Sequence, residues 1–264
     1  MSVGFSMEVS LSMLFCLGRP FPYLLKQLQR AEVCHVELVD EVFHALNGRR
    51  VRIIGNIIKT KGVDVTVHAP FVDINIASPV SSFRRAVLKR LKRSILFASQ
   101  LDSNFWVFHP GLQTGISSFY PGLDWKINVN SVCELMETAK QYNVEITIEN
   151  APEPFHFLLK SVDDFTRFYD DLGRADGLGL TLDIGHANIN GQIYEFLMKF
   201  SEKIVHIHVH DNDGTCDSHL GIGYGNIDWI RVVEELKKIG YQGVITIESA
   251  SKIGESIQTL KKLL

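Results

Sequence analysis

Three histidines at alternate positions, His206, His208 and His210, sit in the apolar run Ile204 to His210. Side chains on a strand repeat every second residue, so a strand here turns all three imidazoles to one face. The run breaks at Asp211-Asn212-Asp213-Gly214, a turn-forming cluster, and delivers Asp217 and His219 before a glycine-rich loop leading into a helical stretch. Imidazoles and carboxylates gathered where a strand meets its loop are the donor set of a divalent cation held beside a substrate. A lone histidine is weak evidence for that chemistry, and repetition along the chain is what gives the pattern weight.

The same ending recurs. Apolar runs finish in Val67-His68-Ala69-Pro70-Phe71, in Phe108-His109-Pro110-Gly111, in Ile148-Glu149-Asn150 and in Leu182-Asp183-Ile184-Gly185-His186, and a last one finishes in Ile247-Glu248-Ser249. Each of these side chains has an ordinary structural use, as a helix cap or a partner for a loop carbonyl. Together, the nine groups His68, His109, Glu149, Asp183, His186, His208, Asp217, His219 and Glu248 at one rim would repel or stay unpaired without a cation.

Something must bring those endings to one rim. Short apolar runs alternate with longer amphipathic ones along the whole chain, the pattern of parallel βα units. The runs predict strands at Val3 to Met7, His35 to Val39, Val63 to His68, Phe105 to His109, Val144 to Glu149, Leu178 to Asp183, Ile204 to His210 and Val244 to Glu248. Helices are predicted near residues 21–32, 49–61, 82–101, 127–142, 161–171, 191–201, 228–239 and 253–264. Eight such units fit an α/β fold of one parallel eight-stranded (β/α)8 TIM barrel spanning residues 1–264 as a single domain. In that fold the loops at the C-terminal ends of the strands carry the active site.

Composition narrows the function classes. With 264 residues, 45% hydrophobic and 22% charged, the chain is long enough for a large core and reads as a globular protein. A net charge of −3 and a pI of about 6.4 carry no basic footprint for nucleic acid, although a metal cluster can itself attract phosphate. Cys16, Cys34, Cys133 and Cys216 lack CxxC spacing, which fits a reducing cytoplasm better than a disulfide framework. The opening MSVGFSMEVSLSMLFCLGRPF has no basic leader and no run reaches a bilayer-spanning length, so a membrane partner is not expected. Trp106 and Phe108 are expected to pack the barrel, and His206 and His210 to be neighbours of ligands rather than ligands. The run Arg84 to Arg93 is expected to be the solvated face of a helix. Phe71, Trp125 and Tyr224, in rim loops, are candidates to wall a pocket.

From about residue 35 to 250 the chain resembles the xylose isomerase-like TIM barrels, which include endonuclease IV and many sugar isomerases and epimerases. HAPFVDINIASP resembles the family's third-strand signature and VFHPG its fourth, while LDIGH and DSHLGIGYGNI also agree. The endonuclease IV resemblance implies three zinc ions. His68 and His109 would hold one and share Glu149 with a second, which also takes Asp183, His208 and Glu248; His186, Asp217 and His219 would hold the third. The chain departs from endonuclease IV in two loops. SMEVSLSMLFCLGRPFPYLL has no arginine-rich segment to enter a duplex, and NAPEPFHFLL after Glu149 is apolar and acidic.

HVELVDE and DSHLGIGYGNIDW instead resemble the sugar isomerase and epimerase branch, where one metal on the positions of Glu149, Asp183, His208 and Glu248 is typical. That resemblance implies Zn or Mn, one to three ions in all, and a small sugar or sugar phosphate as partner. The metal would polarise a carbonyl and hydroxyl while Glu149 and Glu248 exchange a proton at the carbon between them. His186 would anchor a hydroxyl and Phe71 would wall the pocket. Because loops choose substrates, metal-assisted isomerisation or epimerisation ranks ahead of abasic-site DNA hydrolysis by a trinuclear zinc site. A barrel that binds a metal or ligand without turnover is the third alternative.

Overall fold

The computed structural model describes residues 7–173 and 177–264. Eight parallel strands close in sequence order, each hydrogen-bonded to the next and the last to the first. They are β1 (Met7–Ser12), β2 (His35–Val39), β3 (Asp64–His68), β4 (Trp106–Phe108), β5 (Ile146–Glu149), β6 (Leu178–Asp183), β7 (Ile204–Val209) and β8 (Gly243–Ile247). The helices are α1 (Phe21–Arg30), α2 (Gly48–Lys61), α3 (Ser81–Gln100), α4 (Leu123–Tyr142), α5 (Val162–Leu172), α6 (Ile184–Ile189), α7 (Ile193–Lys199), α8 (Trp229–Lys238) and α9 (Ile253–Leu263). The expected parallel (β/α)8 barrel is what the chain forms.

Two expectations about elements need correction. The first strand is Met7–Ser12 rather than Val3 to Met7, of which positions 3–6 lie outside the described residues. A short helix, α6, also intervenes between β6 and α7, where the sequence reading placed only a strand end and a loop.

Alternation along each strand sorts residues between the helical layer and the barrel interior. One parity is apolar: Val36, Leu38, Val65, Val67, Trp106, Phe108, Ile146, Ile148, Ile207, Val209, Ile245 and Ile247 are all buried. Trp106 donates its Nε1–H to Ser94 Oγ of α3 at 3.0 Å, so this parity faces the helices, and Trp106 and Phe108 pack the barrel as expected. The other parity is polar and equally buried, with Ser10, His35, Glu37, Thr66, Thr147, Thr181, His206 and Thr246. These groups pair with one another: His35 with Thr66 at 2.9 Å, Thr147 with Thr181 at 2.9 Å and His206 with Thr246 at 3.2 Å. A polar interior is costly unless its groups find partners, and here these pairs form between neighbouring strands.

Helix starts are set by capping side chains. Asn47 accepts from Arg49 and Arg50 backbone N–H groups, Ser161 and Asp164 form a capping box, and Asp228 caps α8 through Arg231 N–H. The basic run on α3 is not wholly a solvated face. Arg90 forks onto both oxygens of the fully buried Asp40 at 2.7 and 2.8 Å, and Asp40 in turn accepts from Leu46 N–H at 2.6 Å. Within this run Arg90 anchors the loop after β2, an arrangement that suits a planar guanidinium.

Candidate active site

The strands of this barrel end where their sequences carry donors. His68 and Glu149 close β3 and β5, Asp183 closes β6, His109 and Glu248 follow β4 and β8, and His208 is the penultimate residue of β7. The loop after β7 adds Asp217 and His219. The structure places these side chains, with His210, in three adjoining groups: His68, His109 and Glu149; Glu149, Asp183, His208 and Glu248; and His186, His210, Asp217 and His219; a fourth group, Glu37, His206 and His208, shares His208 with the second. Within each group one donor atom per residue lies within 4.8 Å of all the others.

Main-chain partners orient the imidazoles. His68 Nδ1 donates to the Ala69 carbonyl, His186 Nδ1 to the Asn150 carbonyl and His219 Nδ1 to the Glu248 carbonyl, each at 2.8 Å. In the neutral ring this leaves the Nε2 lone pair facing the carboxylates, the orientation in which histidine serves as a metal ligand. Glu149 stands at the centre. Its Oε2 lies 3.2 Å from His68 Nε2 and 3.1 Å from His109 Nε2, while Oε1 lies 3.3 Å from His208 Nδ1.

Asp183 serves two neighbours at once. It caps α6 by accepting His186 N–H at 2.7 Å, while Asn150 fixes the strand end by accepting Asp183 N–H at 2.7 Å and donating to its carbonyl at 3.1 Å. Asp211, fully buried, holds the loop bearing Asp217 and His219 by accepting from Gly223 N–H and Trp229 Nε1–H, both at 2.8 Å. His219 itself has a φ of 44°. That left-handed conformation costs a residue with a Cβ about 1–2 kcal/mol, a strain the loop contacts sustain.

The donor set fits a divalent cation on the structure's own evidence. Asp183 Oδ2, His208 Nδ1, both ring nitrogens of His210 and Asp217 Oδ1 are buried without a hydrogen-bond partner. Orphaned atoms of this kind are costly, and here they point at one another's groups. The electrostatics agree. Burial pulls the His186 ring down, but Asp183 and Asp217 outweigh it and push its pKa up to about 10; His68, beside Glu149, is pushed up to about 9. Burial raises Asp217, yet hydrogen bonds from His186 and His219 hold it below the usual carboxylate range.

The two glutamates flanking the central group diverge. For Glu149, burial pushes upward but the His208 and His109 charges win, and it is held well below the ordinary carboxylate value. Glu248 is pushed up to about 7, because burial, aided by the Glu37 and Glu149 carboxylates, overcomes the opposing charge of His208.

Above these groups is a cavity of about 360 Å³. His68, His109, Glu149, His186, Asp217, His219 and Glu248 line its polar end, and Leu14, Val39, Phe71, Pro152, Phe155 and Phe157 line its walls. Phe71 lies edge-on to His68 with centroids 5.7 Å apart, and Glu41 fixes its backbone by accepting from Phe71 N–H at 2.7 Å and Val72 N–H at 3.0 Å. Two aromatic candidates sit elsewhere. Trp125, on α4, donates to Asp171 at 2.7 Å and stacks under Arg167; exposed Tyr224 pairs with Glu255. Both are absent from the cavity wall because their rings are engaged by neighbouring helices.

His210 was expected to be a mere neighbour, yet it joins the third group, with Nε2 3.2 Å from Asp183 and 3.4 Å from Asp217. The alternation His206-His208-His210 was the available signal, and a strand continued by one residue brings it in. Glu37, opposite β7, escaped sequence reading altogether and meets His206 and His208 from below.

A closed parallel barrel with such a rim defines a class, and the comparisons supply the family. The model of the xylose isomerase-like TIM barrel matches residues 25–263, and the chain belongs to that family. A crystal structure of a D-tagatose 3-epimerase-like protein superposes with a TM-score of 0.91 and 32% identity, covering 97% of each chain. An uncharacterized protein of Methanocaldococcus jannaschii is 37% identical over 216 residues, 81% of this chain and 73% of its own. A probable endonuclease 4 of Acholeplasma laidlawii is 23% identical over 190 residues, 66% of this chain and 63% of its own. Both sugar epimerases and endonuclease 4 are therefore among its relatives.

Proposed function

We propose that the protein is a divalent-metal-dependent epimerase or isomerase of a small unphosphorylated sugar, with Glu149 and Glu248 as the proton-transfer pair. The observation that carries this reading is the placement of Glu149 and Glu248 together with Asp183 and His208 in one donor group, with both glutamates lining the same sugar-sized cavity. Two carboxylates that reach one reacting carbon can divide the work, one removing a proton and the other returning one.

Glu149, Asp183, His208 and Glu248 would hold the cation. When bound, it supplies Lewis acidity that makes the hydrogen beside a sugar carbonyl removable. Glu149 takes that proton from one side of the carbon and Glu248 delivers one from the other, so configuration inverts with protons balanced. His186, which lines the cavity, positions a hydroxyl. Phe71, Phe155 and Phe157 cover the apolar face of the sugar and exclude water, as in other sugar-sized pockets.

The cavity wall among the described residues carries no lysine or arginine, which favours a neutral substrate over a sugar phosphate or a DNA backbone. A second reading, phosphodiester hydrolysis with Zn on all three groups, is favoured by the completeness of the donor set. Assays of metal-reconstituted protein on free ketoses, ketose phosphates and abasic-site duplex separate the readings. Turnover confined to free ketoses supports ours, and strand incision without ketose turnover refutes it.

A further inference from the structure

Glu37 lies on β2, fully buried inside the barrel, and the groups that meet it are two imidazoles of β7. Its Oε2 stands 3.0 Å from His208 Nε2 and 3.2 Å from His206 Nε2. A carboxylate accepts and an imidazole N–H donates, so both Nε2 atoms carry hydrogen. For neutral His208 that leaves the lone pair on Nδ1. This atom has no hydrogen-bond partner, and it is turned toward Glu149 Oε1 at 3.3 Å and Glu248 Oε2 at 3.6 Å.

We propose that Glu37 is a positioning residue for the metal centre, which clamps His208 in the Nε2–H form so that Nδ1 is its ligand atom. The proposal rests on the metal reading above. Three features support it. The contact bridges the interior from β2 to β7, so it constrains the ring against rotation as no neighbour on β7 alone would. His206 and Thr246 crowd the same side, His206 sharing the Glu37 oxygen while lying 3.2 Å from Thr246 Oγ1, which fixes the carboxylate in turn. A buried anion behind the ring also raises the basicity of Nδ1, as outer carboxylates do for metal-bound histidines. His208 thus differs from His68, His186 and His219, which are oriented by neutral carbonyls and offer Nε2.

The test combines imidazole 15N NMR with zinc affinity measured by chelator competition on the full chain. In zinc-loaded protein, the His208 signal, assigned by its loss in His208→Gln, is expected to show a protonated Nε2 and a zinc-shifted Nδ1. Glu37→Leu is expected to weaken zinc binding by roughly 10–100-fold, the usual cost of losing an outer-shell partner. Glu37→Gln, which keeps an accepting oxygen, should recover most of that loss. Ligation through Nε2, as an ion held among Glu37, His206 and His208 would require, overturns the assignment. So does wild-type affinity in both variants. If Glu37→Leu does not fold, the wild-type NMR result and Glu37→Gln still decide. Wild-type protein that takes up no divalent ion refutes the metal reading itself, and is thereby distinct from a failure of Glu37 alone.

Discussion

The ring of His210 lies so close to Gly185 that a Cβ at position 185 would fall 2.2 Å from its Cε1 atom. The first turn of α6 therefore sets the place of a β7 side chain. Alanine in a helix gains up to about 1 kcal/mol over glycine, but overpacking a buried contact costs about 1–3 kcal/mol. Gly185→Ala should therefore lower stability in urea denaturation and displace His210 from the group formed with His186, Asp217 and His219. Fewer zinc ions per chain, measured by elemental analysis, would accompany it. Unchanged stability and metal content would show that His210 moves freely.

Cation binding should release protons near neutrality. His68, His186 and His219 have pKa values raised to about 9, 10 and 9, so in the metal-free protein these rings are protonated at pH 7 and a cation must displace those protons. Calorimetry in buffers of different ionisation enthalpy should detect the release, and affinity should rise with pH through this range. The same shifts act on folding. Their stabilisation is fully present below the unfolded value near 6.5 and is lost as pH rises through about 9 to 10. The lowered Asp217 works in the opposite sense, contributing above its ordinary value near 3.8 and losing that contribution as acid protonates it. Metal-free protein should melt at a lower temperature at pH 10 than at pH 7, with added zinc restoring more at pH 10.

Mutation separates the metal groups. Glu149→Gln keeps the shape but removes the central charge and the proposed base, and sugar turnover should fall by roughly a hundredfold or more. His109→Ala removes a donor that lies outside the group of Glu149, Asp183, His208 and Glu248, so turnover should survive substantially. Circular dichroism must show both variants folded, because buried donors left unpaired can destabilise the barrel. Equal loss in both, with more than one ion missing, would favour a coupled cluster and hydrolysis.

Phe71 offers a test of the pocket wall. Removing its ring exposes the side of the cavity beside His68 and His109. Burial of an aromatic side chain contributes about 1.5–3 kcal/mol, so Phe71→Ala should raise KM for the sugar by roughly 10–100-fold. A kcat change of the same size with KM unchanged would place Phe71 in the chemistry instead.

Much of this molecule was legible in the sequence, for a physical reason. β3 through β8 are short apolar runs whose ends carry donors, and a parallel barrel brings those ends to one rim whatever their separation in sequence. β1 was misplaced because MEVSLS alternates, with Val9 and Leu11 toward the helices and Ser10 and Ser12 on the opposite parity. Such a strand looks less apolar than the segment before it. α6 stayed hidden because IGHANI spans six residues, too few for helical periodicity to register. His210 and Glu37 depend on which residues meet across the barrel, and spacing along one strand carries no record of the opposite strand. Trp125 and Tyr224 were placed by their loops, whereas Arg167, Asp171 and Glu255 decide where their rings lie.

The central claim is proton transfer at a sugar carbon by Glu149 and Glu248, and solvent exchange reads it most directly. Metal-reconstituted protein should be incubated with free ketohexoses in D2O and the products resolved by mass spectrometry and NMR. The account predicts a stereochemically altered or isomeric sugar bearing one deuterium at the reacting carbon, with incorporation abolished by chelator and strongly reduced in Glu149→Gln. No deuterium in any ketose tested, together with metal-dependent incision of abasic-site duplex by the same preparation, would contradict it.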